Sequence, residues 1–176
     1  MKLFITGPGR HGKDTVAGFV RRRTGLTFES SSHFVARKAV VPYLAKIGIH
    51  YRTFDECYAD RVNNRMHWRR AIEIYNTPDV TRMSRELFDQ YDIYVGIRKR
   101  DEFLKAKEFA DLSIWVDASI RISKQDPSLD ILPGDCDIRI DNNGTLEELE
   151  AKVYRLCDTF SNLPSKGELD LCYTDK

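Results

Sequence analysis

The chain has 176 residues and a mass of 20.4 kDa, with 41% hydrophobic residues, 31% charged residues and a mean hydropathy of −0.47. This length favours one compact domain, and the composition excludes a disordered tail or a fibre. No apolar run approaches the roughly 18 residues that span a bilayer, so we expect no membrane partner. The four cysteines show no CxxC spacing and no nearby histidine pair, which argues against a zinc site or a disulfide framework. Because the first apolar segment is too short for a signal peptide, we expect a cytoplasmic protein with reduced thiols.

The net charge of +1 conceals an asymmetry along the chain. Residues 1–100 carry 19 Lys and Arg against 10 Asp and Glu, whereas residues 101–176 carry 9 against 17. The first part is therefore suited to meet a polyanion. The alternative is that the positive charge of residues 1–100 and the negative charge of residues 101–176 neutralise each other in the folded protein. Runs of charged residues usually form only a solvent-exposed face.

The predicted elements alternate between short apolar strands and helices. In chain order the pattern predicts a strand at 2–6, a helix at 15–23, a strand at 26–30, a helix at 33–47, a long arginine-rich helix at 53–75, a helix at 77–90, a strand at 93–97, a helix at 100–109, a strand at 112–117, a loop at 119–134, a strand at 137–140 and a last helix that ends near residue 160. Such alternation implies an α/β fold with a parallel sheet covered on both faces and ligands at the carboxyl ends of the strands. We expect a single domain at 1–160 and a loosely ordered polar tail at 161–176.

Several predicted helices begin at residues that are suited to cap them. Ser31 or Ser32 is expected to cap the helix that follows the second strand. Thr53 and Thr145 are each followed three residues later by a glutamate, which is the capping-box pattern.

The segment Gly7-Pro8-Gly9-Arg10-His11-Gly12-Lys13-Asp14-Thr15 has the G-x-x-x-x-G-K pattern of a phosphate-binding loop. It follows a predicted strand and opens a predicted helix, which is the context that this motif requires. Glycines let backbone amides converge on phosphate oxygens, the helix amino terminus favours anions, and the lysine reaches the transferred phosphoryl group. The residues expected to bind ATP here are Gly7, Gly9, Arg10, His11, Gly12, Lys13, Asp14 and Thr15. The alternative is a glycine-rich turn with a chance lysine.

The position after Lys13, which normally holds a serine or threonine that binds magnesium, is occupied by Asp14. Hard cations accept carboxylate oxygens, so Asp14 is a candidate Mg²⁺ ligand, and Thr15 is the second candidate. Asp14 could instead face the acceptor. His11 is a candidate phosphate contact, although an exposed loop histidine is more often only solvated.

The motifs GRHGKDT, SSSHFVA, ECYADRVNNRMHWRRAIEIYN, DIYVGIRKRDEF, WVDAS and DNNGTLEEL occur in the order expected of nucleoside monophosphate kinases. With them the chain resembles phage nucleotide-kinase-type P-loop proteins over residues 2–157. The resemblance implies a P-loop NTPase fold with three α/β/α layers, a five-stranded parallel sheet and a short lid. Two branches fit: deoxynucleoside monophosphate kinases, and a thymidylate-kinase-like group that is similar to 5-hydroxymethyluracil DNA kinases.

The resemblance also implies roles for residues outside the loop. Arg98 follows a strand where the family places a basic side chain near the transferred phosphoryl group, although it could instead pair with Asp101 or Glu102. The loop at 119–134 matches the family's lid, and Arg121 is its expected phosphate contact. Asn142 or its neighbour is placed to bind the adenine edge, and a plain turn explains that segment nearly as well.

The acceptor is expected to bind among the helices at 31–90. Arg61, Arg65 and Arg69 are spaced four apart and would form one helical stripe that clamps phosphate. The alternative is an exposed helix whose arginines pair with nearby acidic residues. Other residues expected to border the acceptor are Ser32, His33 and Arg37. Asp55 and Asp60 are candidate bases, because an alcohol acceptor loses a proton during attack whereas a phosphate acceptor does not.

We therefore expect an ATP-dependent and Mg²⁺-dependent kinase. The resemblance, the short lid and the basic first part favour transfer to the hydroxymethyl group of 5-hydroxymethyl-2′-deoxyuridine in phage DNA, a step of thymidine hypermodification in the cytosol of an infected host. The alternative acceptor is a free deoxynucleoside monophosphate. A third possibility is an ATPase or switch that has no acceptor, because a phosphate loop alone does not establish transfer.

Overall fold

A computed structural model describes residues 1–123 and 127–160. Its centre is a five-stranded sheet in which every pairing is parallel and the strand order is β2-β3-β1-β4-β5. The strands are β1 (Leu3–Thr6), β2 (Phe28–Ser30), β3 (Ile93–Val95), β4 (Leu112–Asp117) and β5 (Ile138–Asp141). The predicted α/β fold with a five-stranded parallel sheet is therefore confirmed.

The central strand β1 is buried along its whole length because helices cover both faces of the sheet. Leu3 and Ile5 point to one face and pack against Val16 and Val20 of the first helix. Phe4 points to the other face, where aromatic rings surround it. This alternation along one short strand divides the core into two apolar layers.

The helices follow the predicted order, but their bounds differ: α1 is longer than predicted at both ends, and the predicted helices at 33–47, 53–75, 77–90 and 100–109 are shorter or interrupted. They are α1 (Lys13–Thr24), α2 (Ser31–Val35), α3 (Val41–Lys46), α4 (Phe54–Ala59), α5 (Arg65–Tyr75), α6 (Arg82–Phe88), α7 (Arg100–Ala106) and α8 (Leu146–Thr159). Helices α1 and α8 pack together on the face of Leu3 and Ile5. In the part of the chain that the structure describes, no helix is long and apolar enough to cross a membrane.

The helix after β2 differs from the prediction at its start and its middle. Ser30, not Ser31 or Ser32, is the capping residue, and its side chain accepts a hydrogen bond from the His33 amide at 3.3 Å. A π-helical turn, Ala36–Val40, joins α2 to α3 and packs against α5. Such turns shift the register of side chains on a helix and are frequent near functional sites.

The single long helix predicted at 53–75 is wrong. Thr53 does cap a helix, since its side chain accepts from the Glu56 amide at 3.2 Å, but α4 ends at Ala59. Asp60 then accepts hydrogen bonds from the side chains of Tyr51, Asn63 and Asn64 at 2.6, 2.5 and 2.6 Å. These bonds support a 3₁₀ turn, Asp60–Val62, and a new helix begins at Arg65, because short polar side chains compete with helical hydrogen bonding.

The starts of α6 and α8 can also be compared with their predictions. The helix predicted from residue 77 begins at Arg82, after a cis peptide bond between Thr77 and Pro78. The capping box of α8 is confirmed in both directions: the Glu148 amide donates to the Thr145 hydroxyl at 3.2 Å, and the Thr145 amide donates to the Glu148 carboxylate at 3.0 Å. The predicted tail at 161–176 and residues 124–126 of the predicted lid lie outside the described residues.

Candidate active site

The phosphate loop lies at the carboxyl end of β1, between the sheet and α1. Gly7, Arg10 and Gly12 have φ angles of +141°, +67° and +89°, which side chains rarely permit. A Cβ atom at Gly7 would clash with the Val116 carbonyl oxygen, so the loop requires glycine there on two grounds. Positive φ angles that alternate with negative ones can turn successive amide groups toward one concave side, which is how such loops bind anions.

Lys13 begins α1 and folds its side chain over the loop. Its Nζ donates to the main-chain oxygens of Gly7 and Pro8 at 2.9 and 2.7 Å. The side chain is largely buried, with an exposed fraction of 9%. The ammonium group is therefore held above the concave side of the loop, where a phosphate would lie.

His11 is not the exposed histidine that the sequence predicts, because only 2% of it is exposed. Its Nδ1 accepts a hydrogen bond from the Ala118 amide at 2.9 Å, which ties the loop to the end of β4. Burial lowers the pKa of His11, and Lys13 adds to this effect while Asp117 opposes it. The imidazole is thus a neutral brace behind the loop rather than a phosphate contact.

Asn142 braces the same loop from the segment after β5. Its Nδ2 donates to the His11 main-chain oxygen at 2.9 Å, and the residue is buried. The amide nitrogen is therefore engaged inside the protein instead of facing adenine as predicted. The side chain of Asn143 also has a partner within the protein, since its Oδ1 accepts a hydrogen bond from the Ile120 amide at 2.9 Å. Arg121 remains exposed, with its Nε donating to the Asn142 main-chain oxygen at 2.7 Å.

Asp14 and Thr15 both lie in the first turn of α1 and are exposed. The carboxylate of Asp14 offers the hard oxygen that Mg²⁺ prefers. Within residues 1–123 and 127–160, no three His, Cys, Asp or Glu side chains group as metal ligands. A single carboxylate nevertheless fits Mg²⁺ in a nucleotide site, because phosphates and waters fill the remaining positions.

A cavity of about 910 Å³ lies beside the phosphate loop. Its walls come from α2, α5, the ends of β3 and α7, and the segment at 127–128. Gly96 lines this cavity and lies close to the lysine of the phosphate loop. A Cβ atom at Gly96 would lie 3.3 Å from Ser31 Oγ and 3.9 Å from Lys13 Cε. A ligand in the cavity would therefore lie next to the lysine.

The three arginines predicted to form one stripe do meet at this cavity, although they belong to two elements. Arg61 lies in the 3₁₀ turn, donates to the Tyr58 main-chain oxygen at 3.1 Å and covers the Tyr58 ring at 4.2 Å. Arg65 and Arg69, both on α5, are exposed and make no ion pair or hydrogen bond with the described residues. Two cationic groups that have no partner among the described residues are thus available to an anionic ligand.

Ser32, predicted to border the acceptor, and Arg98, predicted to lie near the transferred phosphoryl group, also line the cavity. The Ser32 hydroxyl lies 2.7 Å from the Tyr58 hydroxyl. Arg98 donates to Ser128 Oγ at 2.6 Å, so it contacts the segment predicted as the lid. Lys99 lines the same wall, which increases the positive charge around the cavity.

Four predicted acceptor residues do not line the cavity. Arg37 forms an ion pair with Glu29, and His33 lies 3.8 Å from the same carboxylate. Asp55 is exposed on α4. Asp60 is engaged in the hydrogen bonds described above, which hold its pKa below the usual value, chiefly through Tyr51. Neither Asp55 nor Asp60 is therefore placed to act as a base in this cavity.

Two carboxyl groups line the cavity, the exposed Glu73 and the buried Glu102, which the sequence suggested only as an ion-pair partner of Arg98. Glu102 is the one that is shielded from solvent. It is 4% exposed, and its Oε1 accepts hydrogen bonds from Ser84 Oγ at 2.9 Å and Tyr94 Oη at 3.3 Å. Burial raises its pKa to about 7, and the two hydrogen bonds oppose this rise. No local pattern marked this role in the sequence, because Arg98 precedes α7 and the two residues do not share a helix.

Comparisons with known proteins relate this architecture to kinases through structure alone. No family model matches the chain, and no curated protein matches it. The chain is similar to shikimate kinase from Aquifex aeolicus, with TM-score 0.54, 14% identity and coverage of 93% of this chain and 99% of that one. It is also similar to TT1252 from Thermus thermophilus, with TM-score 0.52, 16% identity and coverage of 94% of this chain and 98% of that one. A third similar structure is shikimate kinase from Acinetobacter baumannii in complex with shikimate, with TM-score 0.50, 16% identity and coverage of 92% of this chain and 93% of that one. At these identities the likeness concerns the fold alone, and the chain has the α/β fold of these proteins.

Proposed function

We propose that this chain is an ATP-dependent phosphotransferase that transfers a γ-phosphoryl group to a small anionic acceptor. The observation that carries the proposal is a cavity that reaches Gly96, beside Lys13, and is lined by Arg65 and Arg69, which have no partner among the described residues. A phosphate loop supplies the donor site, and the arginine-lined cavity supplies an acceptor site at its edge. Kinase catalysis consists mainly of positioning and charge stabilisation, which this arrangement is suited to provide.

The donor would bind across residues 7–15, with its phosphates on the concave side of the loop. Lys13 would bind the transferred phosphoryl group, and Arg98 would stabilise the charge that develops on its oxygens. Arg121, on the segment after β4, would complete this set from the lid. Asp14 is the residue that would hold Mg²⁺, with Thr15 beside it, and the ion would supply charge neutralisation of the phosphates.

The shape of the acceptor site favours a deoxynucleoside monophosphate. A cavity of about 910 Å³ is at the upper end of the range of small-ligand sites, which is roughly 300–1,000 Å³. The arginines line this concavity, whereas a surface that tracks a DNA backbone would present them along an exposed groove. The acceptor phosphate would bind between Arg65 and Arg69, and its own oxygen would be the nucleophile.

A second candidate acceptor is the hydroxymethyl group of 5-hydroxymethyluracil in DNA. The observation that favours it is Glu102, a buried carboxyl group in the wall of the same cavity, because an alcohol nucleophile must lose a proton. The acceptor nucleotide would have to be single-stranded or flipped out of a duplex to enter.

The test is transfer of label from γ-labelled ATP with Mg²⁺, offered in parallel to deoxynucleoside monophosphates and to DNA that contains 5-hydroxymethyluracil. We expect labelled nucleoside diphosphate, loss of at least about a thousandfold in turnover for Lys13→Ala, and wild-type turnover for Lys46→Ala, an exposed lysine outside the cavity. Label on the DNA would establish the second candidate. Release of phosphate at a rate that no acceptor changes would contradict both and indicate an ATPase or switch.

A further inference from the structure

The two carboxyl oxygens of Glu102 have different surroundings. Its Oε1 accepts hydrogen bonds from Ser84 Oγ at 2.9 Å and from Tyr94 Oη at 3.3 Å, and both of those residues are fully buried. Its Oε2 has no hydrogen-bond partner among the described residues, and it is not one of the side-chain atoms that are inaccessible and unpaired. Oε2 therefore retains accessible surface. Because Glu102 is otherwise buried and lines the cavity, this oxygen faces the cavity.

The part of the cavity that adjoins Glu102 is apolar. Val35, Met83 and Tyr94 line the cavity and belong to one core cluster, and Ile72 packs against that cluster. Ile72 follows Arg69 by three residues on α5, so the wall changes along this helix from a cationic part to an apolar part. A ligand that joins a phosphate to an apolar ring matches both parts. A polar group within an apolar wall fixes the orientation of such a ligand.

Oε2 can present either a donor or an acceptor to the cavity. Two hydroxyl groups already donate to Oε1, so a proton that Glu102 carries resides on Oε2. Burial raises the pKa of Glu102 to about 7, and the two hydrogen bonds oppose this rise. Below that pH the cavity therefore contains an O–H donor at this position, and above it a carboxylate acceptor.

No charged side chain contributes to this shift in the pKa of Glu102. Burial raises the pKa of Tyr94 well above 10, so its hydroxyl group stays protonated. Charged side chains near the start of α6 and on α7 form pairs: Arg82 with Glu86, Arg85 with Asp79 and Asp101 with Lys105. The charged residues that line the cavity itself are Arg61, Arg65, Arg69, Glu73, Arg98 and Lys99. The protonation of Glu102 thus depends on its burial and on its two hydroxyl partners.

We propose that Oε2 of Glu102 donates a hydrogen bond to a carbonyl oxygen on the base of the acceptor nucleotide, and thereby selects keto bases over amino bases. The proposal rests on the proposed function, because it assigns the acceptor of that same cavity. Thymine and guanine carry a carbonyl oxygen where cytosine and adenine carry an amino group. A protonated carboxyl group pairs with the carbonyl oxygen and opposes the amino group with a second donor. A free nucleotide and a nucleotide within DNA present the same groups.

The test measures a ratio of affinities across pH. Binding of dTMP and dCMP, and of dGMP and dAMP, is measured by calorimetry without ATP at half-unit steps from pH 6 to 8.5. Phosphate groups titrate alike within each pair, so the keto-to-amino ratio of affinities reports the contacts to the base. For wild type we expect a ratio of about tenfold at pH 6 in at least one pair, because one hydrogen bond contributes about three- to tenfold. The ratio should fall to about one or below at pH 8.5, where Glu102 is ionised.

Glu102→Gln separates the donor from the titration. Because Ser84 and Tyr94 donate to the position of Oε1, the amide oxygen of glutamine takes that position and its NH₂ group faces the cavity. We expect the keto preference of this variant to stay at about tenfold across the whole pH range. Asp101→Asn is the control, since Asp101 is an exposed carboxyl group that pairs with Lys105, and it should follow the wild-type ratio. The wild-type pH profile tests the proposal even where a variant does not fold.

Two single-stranded oligonucleotides, hexathymidylate and hexadeoxycytidylate, distinguish the sources of the base. The keto-to-amino ratio should depend on pH for the oligonucleotides as it does for the mononucleotides. Tighter binding of the oligonucleotides than of the mononucleotides, with this ratio, assigns the base to DNA. Tighter binding of the mononucleotides assigns it to a free nucleotide.

A ratio near one in both pairs at pH 6, or a ratio that varies with pH equally in wild type and Glu102→Gln, would overturn the proposal. A roughly thousandfold loss of turnover in Glu102→Gln with an unchanged ratio at every pH would identify Glu102 as a base and would also overturn it.

Failure of the proposed function gives a different pattern. A keto preference that varies with pH, without any label transfer, retains the role of Glu102 in binding and contradicts the kinase. Equal label transfer to all four deoxynucleoside monophosphates, with a ratio near one, retains the kinase and contradicts the role of Glu102.

Discussion

The side chain of Asn142 donates a hydrogen bond to the main-chain oxygen of His11 at 2.9 Å, although 131 positions separate the two residues. The His11 imidazole in turn accepts from the Ala118 amide at 2.9 Å. Through these two bonds the segments that follow β4 and β5 hold the back of the phosphate loop. The concave side of the loop remains open for phosphate oxygens, so the shape of the donor site depends on residues that need not touch the donor.

The first prediction concerns this brace. Asn142→Leu keeps the approximate volume but removes the amide, which leaves the buried His11 oxygen without that donor. We expect a loss of stability of about 1–3 kcal/mol and an approximately tenfold weaker affinity for a non-hydrolysable ATP analogue. Urea unfolding and calorimetry are the measurements. Asn63→Leu, at an exposed asparagine that bonds to Asp60 and not to the loop, is the control and should retain wild-type affinity for the analogue.

The second prediction compares two glycines. At Gly7 a methyl group would meet the Val116 carbonyl oxygen, and the φ angle of +141° is unfavourable for alanine. Gly7→Ala should therefore lower the free energy of unfolding by about 2 kcal/mol or more. Gly18 lies inside α1 with no neighbouring atom within 4 Å of the place that a methyl group would take, so Gly18→Ala should raise it by about 0.5–1 kcal/mol. Equal effects in urea unfolding would contradict the assigned loop geometry.

Much of the fold could be predicted because its signals are local. The apolar run at 112–117 became β4 with the predicted bounds, and the Thr145 capping box formed as its spacing indicates. The interrupted helix at Asp60 was missed because helical spacing of apolar residues continues across it. The interruption depends on hydrogen bonds from Tyr51 and Asn64, and side-chain partners of this kind are not visible in hydrophobic periodicity.

The candidate site could likewise be predicted only where its signal is local. The phosphate loop is a contiguous motif, and its strand and helix context fixed its place in the sheet. The acceptor cavity joins residues from α2, α5, β3 and α7, so its membership depends on packing. For this reason the sequence suggested Asp55 and Asp60 as candidate bases, whereas the buried carboxyl group in the wall is Glu102, which accepts a hydrogen bond from Tyr94.

The third prediction concerns the arginines of the acceptor cavity. Arg65→Ala and Arg69→Ala should each weaken acceptor binding by about tenfold, with little change in affinity for ATP, because each removes a cation that faces the cavity. Arg70 offers a matched control on the same helix, since it pairs with Glu73 at 3.6 Å and does not line the cavity. Steady-state kinetics with varied acceptor give the comparison. Loss of acceptor affinity in Arg70→Ala equal to that in Arg65→Ala would point to a general charge effect.

The fourth prediction uses the pKa of Glu102, which burial raises to about 7 from 4.5. Between these pH values the folded protein retains a proton that the unfolded chain has released, so this group favours the folded state less as the pH rises. Its contribution falls by about 3 kcal/mol from pH 4.5 to pH 7 and stays low above that. Glu102→Gln cannot titrate, so its stability relative to wild type should increase across this window.

Urea unfolding of wild type and Glu102→Gln at half-unit steps from pH 4.5 to 8 measures this difference, and other titrating groups cancel in the comparison. A difference between wild type and Glu102→Gln that does not vary with pH would mean that Glu102 stays ionised in the folded protein. In that case the carboxylate would have to be stabilised by more than its bonds to Ser84 and Tyr94, because those two bonds do not outweigh its burial.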